Sequence, residues 1–105
     1  GFYILYITVV NGNTGYTHYF TIFYDPQNGF TGTGTGVAGT ETLSDIVLAN
    51  NVISFRSDYD ANNYYWFPSF VLEDNGTLTF QDDYGSDNVY SAIGTWEISY
   101  DCNNG

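Results

Sequence analysis

Thr31 to Gly36 reads TGTGTG. In an extended chain successive side chains point to opposite faces, so the three threonines share one side and the three glycines the other. The glycine face has no side-chain volume, which permits sharp curvature or close approach of whatever packs there. Barrels and strongly bent sandwiches need such a strand.

Outward from this stretch, turn residues and β-rich runs alternate to both ends of the 105-residue chain. No window of eleven residues carries the apolar spacing of an amphipathic helix. Runs between Gly, Asn and Asp clusters give eight candidate strands: 2–10, 16–24, 30–37, 42–48, 52–59, 64–72, 77–82 and 89–100. The turns between them are short, for example DPQNG at 25–29 and EDNG at 73–76, and short turns join antiparallel neighbours. The expected fold is all-β: an antiparallel up-and-down barrel or barrel-like sandwich of about eight short strands. It forms a single domain over 1–105, with 1–10 a donor or barrel-closing strand.

Alternation assigns faces. Ile53, Phe55 and Tyr59 fall on one side of their strand, with Ser54, Arg56 and Asp58 on the other. In the last strand Trp96, Ile98 and Tyr100 alternate with Thr95, Glu97 and Ser99, which predicts an apolar buried face and a wet one. Trp66, Phe70 and Leu72 oppose Tyr65, Phe67 and Val71, so that strand is expected to be covered on both sides. Pro68 within it donates no amide and marks an edge or a bulge. The first strand is apolar on both faces: Phe2, Ile4 and Tyr6 on one, Leu5, Ile7 and Val9 on the other. Left unpaired, it would aggregate.

Charge narrows the function. Twelve acidic residues stand against one Arg, no Lys and one His, for a formal net charge of -11. Phosphate neutralisation needs several Lys or Arg, so nucleic-acid binding is excluded. No run of 18 apolar residues exists to insert in a membrane as a helix. The first residue is Gly, and FYILYITVV lacks the basic flank and cleavage site of a signal peptide, as a mature or trimmed chain would. Abundant Asn, Thr and Tyr with almost no basic residues suit an extracellular or cell-surface setting. Cys102, the single cysteine, is a free thiol or an interchain link.

The order of FTGTGTGVAG at 30–39, VISF at 52–55, NGTLTF at 75–80 and GTWEI at 94–98 resembles the small bacterial lipocalin-like and avidin-like barrels, over roughly residues 30–100. The resemblance implies an up-and-down antiparallel barrel with a small apolar ligand site inside. The Gly-Thr-Trp stands in the last strand here, whereas the lipocalin signature opens the barrel.

Several residues are candidates for chemistry. Asp58, Asp60 and Asn62 fit the first three oxygen positions of a calcium loop, D-x-D-x-N. Position six is Asn63 and position twelve Ser69, which rules out an EF-hand, and the plain alternative is a solvated Asx turn. The acidic turn from Asp82 to Asp87 could join it. Tyr64, Tyr65 and Trp66 beside these turns are candidate ligand or glycan contacts, against the alternative of core and interface aromatics. His18 has no second His or Cys near it in sequence, so no zinc set exists. A carboxylate pair for glycoside hydrolysis could draw only on Glu41, Glu73 and Glu97, and no enzyme is expected. Arg56 has two readings. Inside a barrel lumen it would pair with a ligand carboxylate through two hydrogen bonds. Its alternation with Phe55 places it instead on the polar face, where an ion pair with an Asp or Glu is expected. Asn75-Gly76-Thr77 is a glycosylation sequon on a turn.

Three functions fit these readings. The favoured expectation is a non-enzymatic extracellular structural subunit that self-assembles with copies of itself into a filament or surface layer. Its assembly strand would be Phe2, Ile4, Leu5, Tyr6, Ile7 and Val9, inserted by β-augmentation. The alternatives are a lipocalin-like barrel for a small apolar ligand, in which that strand closes its own barrel, and a calcium-assisted carbohydrate-binding module. No cofactor is expected beyond calcium.

Overall fold

The computed structural model describes residues 1–60, 62–86 and 88–102, without the side chains of Asp60, Asp82, Asp83 and Tyr84. Eight strands follow one another: β1 (Phe2–Asn11), β2 (Thr17–Asp25), β3 (Gly29–Gly36), β4 (Gly39–Ala49), β5 (Val52–Asp60), β6 (Tyr64–Leu72), β7 (Thr77–Gly85) and β8 (Ala92–Asp101). Each pairs antiparallel with its neighbours in sequence, and β8 returns to β1, closing a barrel. Closure pairs most of the edges that a sandwich would leave, although the β7–β8 seam runs only from Thr77 opposite Thr95 to Thr79 opposite Ile93.

The N-terminal strand is the stave that closes it. β1 pairs with β2 from Tyr3 opposite Tyr24 to Val10 opposite Thr17, and with β8 from Phe2 opposite Asp101 to Asn11 opposite Ala92. Leu5, Ile7 and Val9 point into the core, while Phe2, Ile4 and Tyr6 stand on the outer wall, half-buried or exposed. Both hydrogen-bonding edges of this strand are thus paired within its own chain, and its inner face is buried, while its outer face remains partly exposed.

Turn chemistry sets the register. Ala49 pairs with Val52, so Asn50 and Asn51 form a two-residue loop, and both have positive φ, +53° and +64°. That is the geometry whose twist matches the strands it joins, and Asn tolerates it better than most residues. Asp45, also at positive φ, sits where the β4–β5 register shifts between Ser44 and Val47. Pro68 lies where the β5–β6 ladder is interrupted between Ser54 opposite Ser69 and Ser57 opposite Trp66, as a residue without an N–H requires.

The threonine–glycine alternation does what its pattern implies. Thr31, Thr33 and Thr35 face solvent and the glycines face the lumen. A Cβ built on Gly34 would stand 2.6 Å from the Phe20 ring, closer than carbon atoms approach, so the bare backbone is what lets the Phe20 ring come this near to β3. Phe20, Phe55, Trp66 and Phe70 fill the middle of the barrel with Ile7, Ile22 and Ile53. Phe20 and Phe55 pack edge to face at 4.8 Å, and Trp66 stands at 90° to Phe70 at 5.9 Å. This packed waist leaves an upper mouth, at the turn from β1 to β2, and a lower mouth at the start of β1.

At the lower mouth the expectation for β8 fails. Trp96, Ile98 and Tyr100 keep the inward phase, but Trp96 is half-buried and Ile98 and Tyr100 are 54% and 57% exposed. The reason is length. β7 pairs with β8 only from Thr77 opposite Thr95 to Thr79 opposite Ile93, so beyond Trp96 the inward side of β8 looks into an open mouth. The second face of β6 is likewise only half-buried at Tyr65, Phe67 and Val71, because a barrel wall has one covered side.

Candidate functional site

The upper mouth is built by residues that look polar in sequence but stand at inward positions. His18 precedes Phe20 by two, Glu41 precedes Leu43 by two, and Ser57 follows Phe55 by two, so each shares the inward face of its strand. All three are buried, Glu41 to 1% exposure. The Ser57 hydroxyl donates to Glu41 Oε1 at 2.8 Å, and His18 Nδ1 lies 2.8 Å from Glu41 Oε2. An ionised carboxylate only accepts, so Ser57 supplies a donor to one oxygen and His18, in the form that carries a proton on Nδ1, supplies one to the other. Gly36 makes room for them: a Cβ there would stand 2.7 Å from Glu41 Oε2 and 3.1 Å from His18 Nδ1.

Aromatic rings pack around His18. His18 stacks on Phe20 at 6.0 Å and meets Trp66 at 5.2 Å, and Tyr59 meets it edge-on at 6.0 Å. Trp66 Nε1 is a fully buried donor with no hydrogen-bond partner among the described residues. Above the pair opens a cavity of about 230 Å³ bordered by Tyr16, Tyr59, Tyr64, Asn11 and Thr14. Its rim is fixed by Asn11, whose Oδ1 accepts from the amides of Asn13 and Thr14. Asn13 in turn bridges to the β7–β8 connection, donating to Asn88 O and accepting from Tyr90 N.

The lower mouth is a different environment. A cavity of about 400 Å³ is lined by Tyr3, Leu5, Ile22, Tyr24, Phe30, Leu48, Leu72, Trp96 and Ile98. No lining side chain carries a charge, and Trp96 Nε1 is spent on Glu73 O at 2.8 Å. Ring pairs line its lip, Tyr3 with Tyr100 and Tyr24 with Phe30, both at 4.7 Å.

The residues singled out in sequence are scattered among these environments. Tyr64, Tyr65 and Trp66 form no shared platform: Tyr64 borders the upper cavity, Tyr65 is on the outer wall beneath Arg56, and Trp66 is wholly buried in the waist. Strand alternation turns Tyr65 outward, while Tyr64 and Trp66 share the inward phase at different depths, one at the cavity and one in the core. Asp58 is on the outer wall too, holding Arg56 through both carboxylate oxygens, with Nε at 3.2 and 2.9 Å and Nη2 at 2.9 Å. That hydrogen bond raises the Arg56 pKa above its ordinary value, against a smaller opposing effect of burial, and the guanidinium lies 4.1 Å over the Tyr65 ring. The side chains of Asp60, Asp82 and Asp83, and the whole of Asp87, lie outside the described residues; the backbone from Asp82 to Gly85 is strand, the end of β7, and not the turn expected there. Asn62 is exposed, and among the described residues no three His, Cys, Asp or Glu side chains converge.

Glu41, Glu73 and Glu97 do not meet either. Glu41 is inside the upper mouth, Glu73 accepts from Thr79 near the lower one, and Glu97 faces solvent on β8. The Asn75 carboxamide accepts from both the amide and the hydroxyl of Thr77 on an exposed turn. The buried trio of His18, Glu41 and Ser57 was not assembled by sequence reasoning. Its signal was a polar residue standing in phase with apolar neighbours two positions away.

Compared with protein-family models, curated proteins and solved structures, the chain matches none.

Proposed function

We propose that this protein is a non-enzymatic carrier whose lower mouth holds a small, neutral, apolar molecule. The observation that carries the reading is the uncharged cavity of about 400 Å³ under Trp96 and Phe30, a size within the range of small-molecule sites. Transfer of an apolar ligand into such a lining is favourable by roughly 25 cal/mol per Å² removed from water. Tyr3 and Tyr24 at the lip offer hydroxyls for one polar end. The resemblance to lipocalin-like barrels points the same way, and an acidic, lysine-free surface suits an extracellular carrier.

The test is titration with the neutral dye N-phenyl-1-naphthylamine, followed by its fluorescence. A single saturable site is expected, weakened at least tenfold by Ile98→Asp, which places a charge at an exposed position of the mouth without touching the buried core. Absence of saturable binding, or full affinity in the folded variant, overturns the reading.

Self-assembly remains a second reading, on a different observation from the one that first suggested it. Donating β1 to a neighbour would sacrifice its ladders to both β2 and β8. Among the described residues, however, no strand lies on the outer edge of β8 from Glu97 to Tyr100, and such an edge can accept a strand from another copy. Light scattering on a size-exclusion column separates the two: a monomer at all concentrations removes assembly and leaves the carrier.

A further inference from the structure

The upper mouth poses a charge problem. Glu41 is almost completely buried, and a buried carboxylate is costly unless it is paired and hydrogen-bonded. Ser57 and His18 supply the hydrogen bonds. They supply positive charge only when His18 is protonated. The sequence has no Lys, and its single Arg is on the outer wall, held by Asp58. Each carboxylate oxygen can accept a second hydrogen bond, and Glu41 lines the cavity.

We propose that this cavity binds a small organic ammonium, a protonated primary amine with a compact aromatic or aliphatic body. Its N–H groups donate to Glu41, as charge-assisted hydrogen bonds. The body lies among Tyr16, Tyr59 and Tyr64 at the cavity wall, whose ring faces attract cations. The net charge of -11 draws cations toward the mouth and repels anions. A hard metal ion would need several oxygen ligands, whereas one carboxylate with a tyrosine wall suits an ammonium. The packed waist of Phe20, Phe55, Trp66 and Phe70 separates this site from the lower mouth, so the two stand or fall independently.

Calorimetry with 2-phenylethylamine at neutral pH tests it, with 2-phenylethanol as the uncharged ligand of the same body. The amine is expected to bind at least roughly tenfold tighter than the alcohol, as loss of a buried charge pair implies. It should leave N-phenyl-1-naphthylamine undisturbed in the lower mouth. Glu41→Gln should erase the preference for the amine without changing alcohol binding. Because a change at a buried residue can unfold the chain, Tyr64→Ala at the exposed lip is the second variant, expected to weaken the amine severalfold. Equal affinity for amine and alcohol, no amine binding, displacement of the dye, unchanged amine affinity in Tyr64→Ala or an unchanged preference in a folded Glu41→Gln overturns the proposal.

Discussion

Gly36 and Glu41 meet across the β3–β4 hairpin so closely that a Cβ on the glycine would stand 2.7 Å from the carboxylate Oε2. Glu41 has little freedom to retreat, because its two oxygens are engaged by Ser57 and His18. Gly36→Ala should therefore cost about 1–3 kcal/mol, the range of overpacked interiors. Thr35→Ala, one residue away on the outer face, should stay within about 0.5 kcal/mol. Urea denaturation of the two variants checks this, and equal losses would mean that the glycine face does not approach the buried pair.

The Ser57–Glu41 contact should behave as a coupled unit. Removing the carboxylate in Glu41→Ala leaves a buried hydroxyl and imidazole unpartnered and should cost about 3 kcal/mol or more. Ser57→Ala removes one donor from a carboxylate that keeps another, for a smaller loss of about 1–2 kcal/mol. A double-mutant cycle should give a coupling energy above about 0.5 kcal/mol; a coupling near zero would mean the hydrogen bond does not form in solution.

Much of this barrel is legible in local pattern, and the reason is the two-residue period of a strand. The inward positions of Ile53, Phe55, Phe20 and Ile22 follow from alternation alone, as does the bare face of TGTGTG. What alternation cannot show is where a wall stops. Ile98 and Tyr100 are in phase with the core, yet they are exposed because β7, their partner on one side, is too short to cover them. Closure of β1 on β8 joins residues about ninety positions apart, and nothing local specifies it, which is why the same two-faced strand also fits a donor. The buried trio was hidden for a third reason. His18, Glu41 and Ser57 come from three strands, and although each stands in phase with an apolar neighbour two positions away, nothing local shows that the three converge.

The β2–β3 turn gives a pH signature. The Asp25 carboxylate accepts from the Gln27 amide at 2.8 Å and from the Asn28 side chain at 3.0 Å. The Gln27 bond chiefly holds its pKa below the ordinary 3.8. A group depressed in the folded state stabilises the fold above its unfolded pKa, and the benefit is lost as pH falls through the folded one. NMR titration should place the Asp25 midpoint below 3.8, and Asp25→Asn should flatten this part of the acid limb of the stability profile. A midpoint at or above the ordinary value would mean the turn is open in solution.

The two tryptophans provide the sharpest check on where the barrel is packed and where it is open. Trp66 is fully buried in the waist, while Trp96 is half-buried at the lower mouth and anchored by its N–H to Glu73 O. Trp66→Ala should leave a large cavity and cost about 3–5 kcal/mol. Trp96→Ala removes less buried surface and one hydrogen bond, so a loss of about 1–3 kcal/mol is expected, together with loss of dye binding. Glu97→Ala, exposed on the other face of β8, should fall within about 0.5 kcal/mol. The order of the three, read by urea denaturation, discriminates between geometries. If Trp96 costs as much as Trp66, the lower end is packed shut and holds no ligand; if Trp96 costs as little as Glu97, β8 has slipped by one residue and its faces are exchanged.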